Sequence, residues 1–353
     1  MKVRKRFRNR GSNNMVSLKD IASACGVSTA TVSKALNGQA DVGEDTRERI
    51  KKKAREMGYL PNVAARMLKT NRSHNIGVLY SDDAGMGLTH EYFSGVLNGL
   101  KDGAEALGYD ITFINTGLRD HRTYLEHCRY RNFDGVAIVC ANYNEPDVQE
   151  LMNSDLPVVT IDYVHQNCTA VSSNNVQGMT ALMEYIVEKG HKEIAYIHGQ
   201  DYSYVTKERL AAFYRVMESH NLPVREEFLM EAVYLDAKSV AQCTRTLLGM
   251  RHRPTCIVYP DDVSLVGGFN VINEAGLSIP HDISIAGYDG SLISQLIRPK
   301  LTTIQQDTDQ IGKEAAKRLI CILEQPKTTL QERVVVEGIL LEGQSVGFPP
   351  RKE

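Results

Sequence analysis

Ser28, Thr29, Ala30, Thr31, Ser33, Lys34 and Asn37 crowd into ten residues of this chain. Hydroxyls and one amide exchange hydrogen bonds without adding bulk, and one long cation stands near the end of the run. That chemistry suits a nucleic acid. Short polar groups hold phosphate oxygens, while small side chains beside a lysine can lie against base edges in a groove. Thr29, Ala30 and Lys34 are the expected base contacts. Ser17, Ser28, Thr31, Ser33 and Asn37 are the expected phosphate donors, with Leu18 and Lys19 beside them at the head of the module.

Such residues need helices to aim them. Leu18, Ile21, Ala22 and Cys25 recur at i, i+3, i+4 and i+7, one face of a first helix. Gly26 permits a tight turn, and Ser28 is a good cap for a second helix over Thr29 to Leu36. Val32, Ala35 and Leu36 then face inward, and Thr29, Ala30, Ser33 and Lys34 face outward. A third, basic helix follows. Asp45 and Glu48 stand at capping-box spacing, Ile50, Ala54 and Met57 form its inner stripe, and Gly58 ends it. Helix, glycine turn and capped second helix make the helix-turn-helix that places its second helix in the major groove.

Charge supports this division. Residues 1–73 carry 17 Lys and Arg against 6 Asp and Glu, although the whole chain is −2, so the remainder is −13. A basic head on an acidic body implies that only the head meets nucleic acid. Lys2 to Arg10 supply six of those charges. Translation can start at Met1 or at Met15. From Met1, residues 1–14 form a basic arm that adds salt-sensitive DNA contact.

Other chemistries find little support. Seven scattered cysteines without a C-x-x-C fit reduced thiols better than a disulfide framework or zinc site. The ten histidines show no metal-ligand spacing. There is no dinucleotide fingerprint, Walker loop, zinc-protease motif or nucleophile elbow. No cofactor and no enzymatic activity are expected. No apolar run approaches the roughly 18 residues of a membrane span, and no apolar segment follows the basic start, so a cytoplasmic protein is expected.

From His74 onward short apolar strands alternate with helices. Strands are expected at 76–80, 111–115, 135–140, 158–162, 169–172, 194–198, 232–235, 255–259 and 283–287. Helices are expected near 92–107, 119–131, 146–153, 176–189, 206–219, 238–249 and 263–275. Strands this apolar are covered on both faces, which means parallel sheets in two doubly wound lobes. Residues 191–197 echo residues 74–80, a modest sign of duplication. Two such lobes bind ligand between them, at the carboxyl ends of their strands.

The segment Val16 to Leu68 resembles the lactose-repressor (LacI) family of bacterial transcription regulators. Val27-Ser28-Thr29-Ala30-Thr31-Val32-Ser33-Lys34-Ala35-Leu36-Asn37 is similar to that family's recognition helix, and Tyr59 to Leu68 to its hinge helix. In the core, Phe133-Asp134-Gly135-Val136, Gly190 to Ile194, Glu208-Arg209-Leu210, Ile279 to Asp289 and Leu301 to Ile304 extend the resemblance over nearly the whole chain. The resemblance implies an all-α helix-turn-helix domain joined to a periplasmic-binding-protein-like α/β core. It also implies a hinge capped by Asn62, with Ala65 on its DNA side and Leu68 as a minor-groove wedge.

Carried over by position, Arg209 and Asp289 are the effector contacts. A fork of donors opposite a pure acceptor suits a polyhydroxy ligand. Tyr92 and Phe93 can stack on a ring, and Ser81, Asp83, Asp162 and Asp261 stand at strand ends near the cleft. Pro260, Asn174 and Gly290 depart from the family pattern near the cleft, which leaves the effector open between a carbohydrate, the default, and a nucleobase or other metabolite.

The expected organisation is a basic arm (1–14), a helix-turn-helix domain (15–60), hinge helix and linker (61–73), core (74–345) and tail (346–353). Lobe one is expected over about 74–162 and 308–330, lobe two over about 163–307 and 331–345. The resemblance implies a homodimeric repressor on a near-palindromic operator, governed by a small molecule, with no membrane partner. Two readings compete with it: an intracellular solute receptor, and a doubly wound enzyme with no DNA-directed role.

Overall fold

The computed structural model describes residues 16–36, 39, 41–59, 72–81, 86–115 and 122–350. The chain divides into two compact units, residues 1–73 and 74–353.

The first unit holds three helices: α1 (Leu18–Cys25), α2 (Thr29–Leu36) and α3 (Glu44–Glu56). Ile21, Ala22, Val32, Ala35, Val42, Ile50 and Ala54 form its core, with Leu18, Leu36 and Met57 packed against it. Ser28 caps α2 as expected, its Oγ accepting from the Thr31 amide at 3.0 Å. The capping box expected on α3 is absent. Gly43 precedes that helix without a side-chain cap, because Asp45 already lies within its first turn. There its charge complements the helix dipole instead. The box sits on α1, where Ser17 and Asp20 satisfy each other's backbone amides. Gly58, at φ 67°, follows α3 as anticipated.

The second unit has the two expected parallel sheets. Lobe one contains β1 (Asn75–Tyr80), β2 (Asp110–Phe113), β3 (Gly135–Cys140), β4 (Val158–Ile161), β5 (Thr169–Ser173) and β11 (Arg333–Val336), in the order β11-β5-β4-β3-β1-β2. Its helices are α4 (Glu91–Ala106), α5 (Tyr124–Tyr130), α6 (Pro146–Met152) and α12 (Thr308–Glu324). Lobe two contains β6 (Ile194–His198), β7 (Leu229–Glu231), β8 (Cys256–Val258) and β9 (Ser284–Ala286), in the order β7-β6-β8-β9. Its helices are α7 (Asn175–Glu188), α8 (Tyr204–Ser219), α9 (Ala237–Gly249), α10 (Asp262–Glu274) and α11 (Leu292–Leu296). Strands β10 (Thr303–Gln305) and β12 (Ile339–Leu341) pair antiparallel. The orders β2-β1-β3-β4 and β7-β6-β8-β9 match, so the echo between residues 74–80 and 191–197 falls on equivalent strands.

Three expectations need correction. Residues 169–173 and 333–336 belong to lobe one: β5 pairs with β4, and β11 pairs with β5. The chain therefore crosses between lobes after Ser173 and after Val336, one strand later than expected each time. Local apolarity marked the strand at 169–172 but not the one at 333–336, and it could not say which sheet either joins. The strand expected at 232–235 lies earlier, at Leu229–Glu231. The tail is not free at its start. Val346 is buried in the lobe-two core, and the Gly347 carbonyl accepts from His191 Nε2 at 3.1 Å.

Candidate functional site

The residues expected to contact DNA and effector fall on two surfaces. On the first unit, Ser28, Thr29, Ala30 and Lys34 of the α2 segment are exposed, and Thr31 and Ser33 are half-buried. The small outward side chains leave α2 narrow enough to lie in a groove. Lys34 forms an exposed ion pair with Asp41, so its ammonium must exchange that partner to reach a base. The Ser28 hydroxyl bonds Thr31 Oγ1 at 2.8 Å, and Ser17 Oγ donates to Asp20 Oδ2 at 2.7 Å. These groups already serve helix caps. Leu18 is half-buried against the core, and Lys19 is exposed. Asn37, Asn62, Ala65 and Leu68 lie outside the described residues.

On the second unit, a cleft of about 980 Å³ opens between the lobes. It is lined by Ser81, Tyr92, Phe93, Asp162, Arg209, Asp261 and Asp289, seven of the eight residues expected there. Asp83 lies outside the described residues.

Arg209 is held in the first turns of α8, only 3% exposed. Its Nε donates to Asn175 Oδ1 at 2.9 Å and one terminal nitrogen donates to the Pro260 carbonyl at 3.0 Å. The guanidinium carbon stands 3.5 Å from the Tyr288 ring centroid. Pro260, a departure from the family pattern, thus serves through its carbonyl. Asp289 follows β9 at φ 103°, a strained region for any residue but glycine. Its Oδ1 accepts from Gln306 Nε2 at 2.6 Å. Loss of water around Asp289 pushes its carboxyl well above the usual range, opposed by the nearby Arg209 charge. Among the described residues neither side chain has an ion-pair partner.

The other carboxylates differ. Asp162 accepts from Tyr92 Oη at 2.5 Å, which fixes that phenol at the cleft wall. Burial raises its carboxyl. Tyr92 and Phe93 meet edge to face at 5.2 Å. Asp261 caps α10, accepting from the Ser264 amide and hydroxyl at 2.6 and 2.7 Å and from the Leu235 amide at 3.0 Å. Its oxygens are already engaged, which leaves little for a ligand.

Sequence reasoning missed several lining residues: the stacked pair Tyr143–Tyr163 (3.9 Å between centroids), Gln306, Gln200, Tyr202 and Tyr234. Repeated tyrosines at strand ends were the available signal. Buried Asn175 carried none.

Contacts that join the lobes beside the cleft include the pairing of Arg333 of β11 with Glu208 of α8, the bond from Arg333 to Tyr204 Oη, and the bond from the Leu292 amide to Glu91 Oε1 at 2.8 Å.

The description "Bacterial regulatory proteins, lacI family" matches residues 17–62, and "Periplasmic binding protein-like domain" matches residues 183–346. The HTH-type transcriptional repressor PurR of Vibrio campbellii is 30% identical over 329 residues, covering 92% of this chain and 96% of the relative. The chain belongs to the LacI family. The probable HTH-type transcriptional repressor ExuR of Bacillus subtilis is 28% identical over 321 residues, covering 90% and 95%. The Lac repressor dimer bound to operator and the anti-inducer ONPF superposes with a TM-score of 0.77 at 25% identity, over 95% of this chain and 100% of that one. The fold is also that of a regulator solved as the CelR–cellobiose complex, with a TM-score of 0.69 at 22% identity over 94% and 99%. As a LacI-family member this protein is a DNA-binding transcriptional repressor controlled by a small-molecule effector. Its relatives are repressors, a class that is not enzymatic in general, and no described helix is long and apolar enough to cross a membrane.

Proposed function

We propose that this LacI-family chain is a cytoplasmic, non-enzymatic homodimer that binds a near-palindromic operator and changes its grip when a sugar or sugar derivative enters the cleft. Two α2 helices read adjacent half-sites through Thr29, Ala30 and Lys34. Leu68 acts as the minor-groove wedge between them. Arg209 and Asp289 hold the effector, with Tyr92 and Phe93 beside it. The carrying observation is the cleft itself: a donor fork and an acceptor, both held in place and neither spent on an ion pair. A cellobiose-bound regulator and an ONPF-bound Lac repressor of the same fold support a sugar-like ligand.

Thermal-shift screening of neutral and acidic sugars against the full chain tests this, because a ligand bound only by the native state raises its midpoint. Arg209→Met should remove the shift while leaving DNA binding intact. An unchanged shift in Arg209→Met would take Arg209 out of the site. A panel of sugars without effect, alongside a nucleobase that does shift the midpoint, would reassign the effector class.

A further inference from the structure

Asn175 is the first residue of α7, immediately past the point where the chain leaves lobe one for lobe two, and it is 1% exposed. Its Oδ1 accepts from Arg209 Nε at 2.9 Å. Its Nδ2 donates to the Ser173 carbonyl at 3.2 Å and to Glu208 Oε2 at 3.3 Å. The second oxygen of Glu208 pairs with Arg333 of lobe one. Arg333 also donates to Tyr204 Oη at 3.0 Å, its guanidinium carbon standing 5.3 Å from that ring. One buried amide thus has the cleft arginine at one end and the inter-lobe ion pair at the other.

We propose that Asn175 is a positioning residue that couples effector recognition at Arg209 to the Arg333–Glu208 closure between the lobes. This rests on the reading of Arg209 as an effector contact. Glu208 and Arg209 are adjacent on α8, and neighbouring positions on a helix do not face each other. The helix alone therefore gives them no direct side-chain contact. Asn175 supplies it, because both ends of its amide are occupied. Turning the amide to follow Arg209 breaks its bond to Glu208, and turning it to follow Glu208 releases Arg209. The Glu208 side chain is only 12% exposed but that of Arg333 is 38% exposed, so the ion pair is partly shielded, on its Glu208 side, from the screening that weakens surface pairs. A ligand that draws on Arg209 therefore alters the lobe contact, and the lobe contact alters the aim of Arg209. The effect is reciprocal, as any coupling between sites must be.

The test is a mutant cycle on the full-length protein, read first without ligand as thermal midpoints by circular dichroism. Residues that share no partner add their effects, and coupled ones do not. Arg209→Lys and Arg333→Gln should together lower the midpoint by less than the sum of the single changes. In an Asn175→Ala background the two should become additive. Should Asn175→Ala fail to fold, Glu208→Gln serves instead: it keeps an acceptor for Asn175, removes the partner of Arg333, and should also restore additivity. Additive effects in the parent protein, or non-additivity that survives both backgrounds, would overturn the coupling.

The second arm titrates the sugar with the largest thermal shift in the parent. Arg333→Gln and Glu208→Gln should each weaken its binding about 5-fold, the low end of allosteric coupling, with no further loss when combined. Unchanged affinity in both variants would also overturn the proposal. A panel with no binding sugar would overturn the effector reading, and the unliganded cycle still decides whether Asn175 couples the two arginines.

Discussion

The guanidinium of Arg209 sits over the ring of Tyr288, 3.5 Å from its centroid, and the Tyr288 hydroxyl has no hydrogen-bond partner among the described residues. The ring matters here and its oxygen does not. A desolvated cation–π contact contributes about 2 kcal/mol. Tyr288→Phe should therefore hold stability and effector affinity within about 0.5 kcal/mol of the parent. Tyr288→Leu should cost about 2–4 kcal/mol of stability through lost packing and lost attraction, and should weaken effector binding. Chemical denaturation of the two variants, with a sugar titration, separates these outcomes.

The backbone at Gly290 requires a glycine. Its φ is 67°, and a Cβ there would stand 2.5 Å from Gln305 Cα, a backbone atom that cannot step aside. Gly290→Asp should destabilise the core by about 2–4 kcal/mol, combining backbone strain with overpacking. A denaturation midpoint indistinguishable from that of the parent would contradict this.

His191 is fully buried, and burial lowers its pKa from 6.5 to about 4, only partly offset by its bond to the Gly347 carbonyl. The folded protein keeps it neutral where the unfolded chain takes up a proton. Its stabilising contribution is therefore present above about pH 6.5 and is lost as pH falls toward 4. The loss amounts to about 3 kcal/mol at most. Buried Asp262, raised from 3.8 to about 7 by loss of water, acts in the opposite direction across this whole range. The comparison must therefore be between variants. His191→Gln should lose less stability than the parent between pH 6.5 and 4, and parallel pH profiles would refute the assignment.

Lys2 to Arg10 carry six cations, all outside the described residues. If each meets a phosphate, deleting residues 1–14 should reduce the salt slope of binding to random duplex DNA by about 5 per subunit. Equal slopes for the full and shortened proteins would mean that the arm does not engage DNA.

Much of the fold was legible because its determinants are local. Ser28 announces a helix start, Gly58 a helix end, and the apolar runs at 76–80 and 194–198 their strands. Apolarity does not name a strand's partner, which is why β5 and β11 were placed in the wrong lobe: β5 pairs with β4 just before it, across the expected boundary, and β11 pairs with β5, far back along the chain. The cleft was legible where chemistry is concentrated, at Arg209 and Asp289. Asn175 and Gln306 escaped notice because an amide gains its role only from what folding brings to it, in one case an arginine 34 positions away. Asp261 looked like a ligand group, and its carboxylate is occupied by a helix end.

Lobe one is completed late. Its outermost strand is Arg333–Val336, and Ile311, Ala315, Ala316, Leu319, Ile320 and Leu323 of α12 fill its interior. During synthesis the amino-terminal helices emerge from the ribosome roughly 280 residues before that last strand, and domains form in the order they are made. A nascent chain can thus own a finished DNA reader while its sensor is still half a sheet and a missing helix. The sensor is completed last, and a message cut short before residue 333 encodes a reader joined to a lobe that lacks its closing strand.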